Sequence, residues 1–125
     1  MRVLLDTHVI LWTLTTSGSI RSEARDVLGA TDTRRVVSVA SLWEIAIKRA
    51  IGRLSAPEDL PEYLARTRHE ILPVSAAHAW SVSGLPPHHR DPFDRLLVAQ
   101  AIAEDIPLIT HDRQLERYDV RIIRA

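Results

Sequence analysis

Five short apolar runs, each parted from the next by a stretch of helical character, constrain this chain most. They are Arg2–Leu5, Arg35–Val39, Glu70–Val74, Pro107–Thr110 and Val120–Ile123. Each is short for a helix and rich in Val, Ile or Leu, which predicts strands buried in a sheet. Strands alternating with helices across short connections predict an α/β fold. The expected form is a three-layer domain with a mostly parallel sheet of about five strands and helices on both faces. A chain of 125 residues has room for one such core, so a single domain over 1–125 is expected.

The helices follow from periodicity and punctuation. Thr7 to about Leu14 continues apolar after the first strand and predicts a helix packed on the sheet. Gly18 and Ser19 punctuate, with Ser19 placed to cap a helix over Ile20 to Gly29. From about Ala40 to Ile51, the positions Trp43, Ala46, Ile47, Ala50 and Ile51 predict one buried stripe, ended by Gly52. Pro57 and Pro61 bracket the entry to a helix through about Arg68, and Ala76 to Val82 predicts a short one. Gly84 to His89 reads as a loop. Asp91 then suits an N-cap and Pro92 the first helical position of a helix through about Glu104. That helix is apolar nearly all round, which predicts the most buried one, and Gln100 inside it must find a partner. Arg113 to Tyr118 predicts a turn of helix.

Composition removes several classes of function. With no cysteine there are no disulfides, thiolate metal sites or cysteine nucleophiles. No apolar run approaches the ~20 residues that span a bilayer, and Asp6 arrives too early for a signal peptide, so a cytoplasmic protein is expected. Sixteen basic residues, Lys48 the sole lysine among them, balance sixteen acidic ones, so a basic field over the whole surface is missing. Four well-separated glycines make no phosphate loop, and no serine has a histidine at the spacing of an acyl-transfer motif.

The acids are more telling. In open parallel sheets ligands bind beyond the carboxyl ends of the strands. Asp6 follows the first strand, Glu44 lies about a turn after the second, Asp94 opens the buried helix, and Asp112 follows the Pro107–Thr110 strand. Four carboxylates at one edge suit a hard divalent cation such as magnesium or manganese. Each acid also has a local use: Asp6 and Asp112 can cap the turns that follow, Asp94 suits a helix dipole, and Glu44 fits a capping box with Ser41. Asp91 already serves as cap, however, which leaves Asp94 a surplus charge.

Four blocks carry a family resemblance: Asp6-Thr7-His8-Val9-Ile10-Leu11-Trp12, Ser38-Val39-Ala40-Ser41-Leu42-Trp43-Glu44-Ile45, His89-Arg90-Asp91-Pro92-Phe93-Asp94-Arg95-Leu96-Leu97-Val98-Ala99-Gln100-Ala101, and Ile109-Thr110-His111-Asp112. In this order, over nearly the full length, they resemble PIN-domain ribonucleases, and most closely the VapC-type toxins of bacterial toxin–antitoxin pairs. The resemblance implies a catalytic and metal-binding quartet of Asp6, Glu44, Asp94 and Asp112, with Thr110 bracing Asp112. It implies a magnesium- or manganese-dependent endoribonuclease that cleaves structured cellular RNA to slow translation. It further implies a homodimer and a cognate antitoxin whose tail covers the acidic groove.

Around these acids, Arg90, Arg95 and Arg113 are candidates for RNA or antitoxin contacts, or for balancing carboxylates, and His88 and His89 extend that polar rim. Zinc is disfavoured, because adjacent His88 and His89 point apart and no second close pair supplies a third ligand. Trp12 and Trp43 are expected in core or interface packing. Two other functions fit the fold class less well. A signalling receiver domain needs an acidic pair after the first strand and a lysine after the fifth, whereas Leu5 precedes Asp6 and Lys48 sits in a helix. A non-catalytic module of the same fold is countered by the intact acids.

Overall fold

Strand β1 (Arg2–Leu5) lies at the centre of the sheet because its residues Val3, Leu4 and Leu5 have no exposed surface to offer. The computed structural model describes residues 1–15 and 19–125. Five strands, β1, β2 (Arg34–Ser38), β3 (His69–Leu72), β4 (Leu108–Thr110) and β5 (Ile122–Arg124), pair in the order β3-β2-β1-β4-β5. All four pairings are parallel. Among the described residues, six α-helices join or flank them: α1 (Thr7–Thr13), α2 (Ser22–Gly29), α3 (Val39–Ala50), α4 (Leu60–Arg66), α5 (Ala76–Ser81) and α6 (Pro92–Glu104). The α/β architecture expected from the apolar runs is the one observed. Among the described residues no helix is long and apolar enough to cross a membrane.

Side chains alternate across the sheet, so β1 feeds two cores. Val3 and Leu5 join Val9 and Ile10 of α1, Ala24 and Leu28 of α2, Ile45 of α3 and Leu64 of α4. Leu4 points the other way, into Leu97, Val98 and Ala101 of α6 with Leu108 and Leu115. Chain order reverses at β1, which has β2 on one side and β4 on the other. Beyond the carboxyl ends of these strands lies the crevice where such sheets bind ligands. Asp6, the start of α3 and Asp112 all meet there.

Gln100 illustrates how a buried amide is satisfied. It is fully buried, accepts the Ser38 hydroxyl, and donates to the Pro73 carbonyl at 3.2 Å.

Two expectations fail. Helix α2 begins at Ser22 after an extended Arg21, with no side-chain cap, so Ser19 does not cap it. Ile20 is instead buried and pins the chain before the helix starts. Gly18 lies outside the described residues. The larger correction concerns α3. Trp43 and Ile51 are 62% and 61% exposed and Ile47 is exposed too, while Ala40, Ser41, Glu44 and Ile45 face inward. Both faces carry helical periodicity, and the polar one wins because Glu44 finds hydrogen-bond partners in the buried Thr7 of α1 and the half-buried Lys48 of its own helix. Trp43 is therefore not a core residue. It packs edge-on against Phe93, with ring centroids 5.3 Å apart.

Candidate functional site

Asp6 sits where β1 turns into α1 and is 3% exposed. Its carboxylate accepts the Val9 amide at 2.9 Å, capping α1, and the Thr110 hydroxyl from the end of β4. Burial raises its pKa, and the hydrogen bonds from Thr110 and Val9 offset part of that rise. The same Thr110 oxygen accepts the Asp112 amide at 3.0 Å. Thr110 thus ties the carboxylate of Asp6 to the backbone of Asp112.

Glu44 is buried on the inner face of α3. The Thr7 hydroxyl donates to it at 2.7 Å, and Lys48, one turn on, donates at 2.6 Å. It does not close a capping box on Ser41: α3 is capped by Ser38, whose hydroxyl accepts the Ala40 amide at 3.0 Å. The local use proposed for Glu44 is absent.

Asp94 stands in the first turn of α6, where Asp91 takes the capping work by accepting the amides of Phe93 and Asp94. Its carboxyl is pushed up to about 7, first by burial and then by the charges of Asp91, Asp6 and Glu44, with His89 opposing. Asp91, Asp6 and Glu44 thus lie close enough for their charges to disfavour the ionised form of Asp94.

Asp112 and Asp94 are joined by a residue placed only on the rim from the sequence. His89 Nε2 lies 2.8 Å from Asp112 and 3.3 Å from Asp94. The Asp91 amide donates to the other ring nitrogen, Nδ1, at 3.0 Å. Nδ1 is therefore the acceptor and Nε2 carries a hydrogen aimed at the two acids. Asp112 also accepts the Gln114 amide at 2.9 Å. Burial pushes its carboxyl up, but the Gln114 amide and His89 outweigh it and hold the group below its ordinary value.

The three arginines separate. Arg90 and Arg113 are exposed beside Asp91 and Asp112. Arg95 is half-buried, and its guanidinium donates to the carbonyls of Pro86 at 3.0 Å and Val82 at 3.1 Å and to the Tyr118 hydroxyl at 3.1 Å. It clamps the loop that carries His89 rather than facing outward. His88 packs edge-on against Tyr118, with ring centroids 5.0 Å apart. Trp12 is half-buried against His111, centroid to centroid 4.9 Å, and His111 meets His8 at 5.1 Å. His8 and His111 carry no expectation of their own from the sequence. Their one signal is the tripeptides Asp6-Thr7-His8 and Thr110-His111-Asp112, which hold the same three residue types at the ends of two strands.

The site as built is an acidic edge in which every carboxylate is held by a neighbour. Two groups among the described residues bring ligand atoms within 4.8 Å of one another: His89, Asp94 and Asp112, and Asp6, His8 and His111.

Comparison with solved structures gives the same fold over essentially the whole chain. A chain of VapBC2 from Rickettsia felis, solved on a DNA fragment from its promoter, matches with TM-score 0.74 and 20% identity, covering 100% of this chain and 99% of that one. VapBC-5 from Mycobacterium tuberculosis, a member of the VapBC family of toxin–antitoxin systems, gives 0.65 and 22% over 99% and 98%. FitAcB from Neisseria gonorrhoeae gives 0.61 and 20% over 97% and 96%. No curated protein matches the sequence significantly. The PIN domain family model matches residues 3–121, a span that holds all four acids, and the chain belongs to the PIN domain family.

Proposed function

We propose that this chain is a metal-dependent endoribonuclease and the toxin half of a toxin–antitoxin pair. The observation that carries the proposal is the set of Asp6, Glu44 and Asp112 after β1, β2 and β4, with Asp94 of α6 coupled by charge to Asp6 and Glu44 and through His89 to Asp112. Membership of the PIN family and the likeness to VapBC complexes support it.

The donor set fits a hard divalent ion: the quartet offers only carboxylate oxygens, and the surplus charge around Asp94 calls for a cation. Asp6, Asp94 and Asp112, directly or through water, would hold magnesium or manganese, with Glu44 completing the site. Once bound, the ion would polarise the phosphoryl oxygen and make the attacking water a better nucleophile near neutral pH. The chain's own groups supply the rest. Thr110 and Thr7 fix the carboxylates of Asp6 and Glu44, and the exposed Arg90 and Arg113 would take RNA phosphates. The exposed apolar stripe of α3 is a surface of the kind that protein partners cover, which supports the expected antitoxin and homodimer contacts.

The test is cleavage of structured cellular RNA by the purified, partner-free chain. Cleavage is expected with magnesium or manganese and absent in excess chelator. Undiminished cleavage in chelator overturns the metal mechanism.

A further inference from the structure

The group Asp6, His8 and His111 differs in kind from the acids beside it. One carboxylate oxygen and two imidazole nitrogens lie within 4.8 Å of one another. The fold brings them there: Asp6 follows β1, His8 sits in the first turn of α1, and His111 follows β4, which pairs with β1. Trp12, one helical turn after His8, packs on His111 and steadies that ring.

Three properties suit this group to an ion. Asp6 is buried and oriented by the Val9 amide and the Thr110 hydroxyl, so its position is set in advance. Both imidazoles are exposed, so an ion can reach them from solvent. Among the described residues, the hydrogen bonds at this edge link Thr7 to Glu44, and Asp6 through Thr110 to Asp112, and include neither His8 nor His111. Ordinary aromatic packing explains the contact of His111 with Trp12, but it gives no reason for two ring-nitrogen donors to converge on a carboxylate.

We propose that Asp6, His8 and His111 bind a first-row transition ion, with water filling the remaining positions. Two imidazoles and one carboxylate form a donor set that suits zinc, nickel or iron, whereas carboxylates alone suit magnesium. His89 cannot play the same part through Nε2, because the Asp91 amide occupies its Nδ1 and leaves Nε2 as a donor. The proposal does not depend on the nuclease reading, since it needs neither RNA nor turnover.

Calorimetric titration of the full, chelator-treated chain with zinc, and separately with magnesium, tests it. The parent should bind zinc saturably at one site. His8→Ala/His111→Ala should weaken zinc by about tenfold or more while moving magnesium affinity by less than about twofold. His111→Gln, which keeps a polar side chain of similar bulk, should show the same selectivity and guards against a folding defect in the double variant. Absent zinc binding in the parent, unchanged zinc affinity in both variants, or equal loss of zinc and magnesium each overturn the proposal.

Discussion

Thr110, the last residue of β4, donates its hydroxyl to Asp6, the residue that follows β1, and so stitches two parallel strands together at the edge where the acids meet. The contact is buried at both ends. Thr110→Val keeps the shape and deletes the donor, leaving a buried carboxylate and the Asp112 amide each short of a partner. A loss of about 2 kcal/mol in denaturant melts is expected. A variant as stable as the parent would mean that Thr110 does not hold the site together.

The raised carboxyl of Asp94 has a pH signature. Its folded value of about 7 exceeds the ordinary 3.8, so the folded chain keeps a proton that the unfolded chain gives up. The stability contributed by Asp94 is full below about pH 4 and is lost as pH rises towards 7. The gap corresponds to at most about 4 kcal/mol. The stability difference between Asp94→Asn and the parent, free of metal, should therefore grow in favour of the variant across that window. A difference that stays flat with pH would mean that Asp94 titrates as an ordinary acid.

Arg90 and Arg95 should respond differently although they flank the same two acids. Arg95→Ala strands the carbonyls it clamps and should cost about 1–3 kcal/mol of stability. Arg90→Ala should change stability by no more than about 0.5 kcal/mol. It should instead weaken RNA binding and lower the salt slope by about one. Salt-dependent binding assays and thermal melts on both variants separate the roles, and equal behaviour would refute the distinction.

Much of the fold was legible because local signals agreed with tertiary demands. Val3-Leu4-Leu5 reads as a buried strand and Asp91-Pro92 as a helix start, and both are found there. The placing of the acids at strand ends followed once the sheet was parallel. Where sequence reasoning failed, long-range partners decided. Helix α3 carries two periodic faces, and the choice between them rests on Thr7 of a distant helix reaching Glu44. The direction of Arg95 depends on loop carbonyls with no sequence signature. His8 and His111 meet only because β4 lies beside β1.

The clustered-carboxylate site is tested most directly by the stability of Asp94→Asn, measured at pH 8 with and without magnesium. Removing one charge from a crowded acidic edge should make the metal-free variant more stable than the parent, because repulsion and burial penalise the ionised group. Magnesium should then stabilise the parent by mass action and the variant less. If Asp94 served only its helix end, the same change would forfeit about 0.3–1 kcal/mol of favourable dipole interaction. A metal-free variant that is clearly destabilised, beside a parent indifferent to magnesium, would contradict the account.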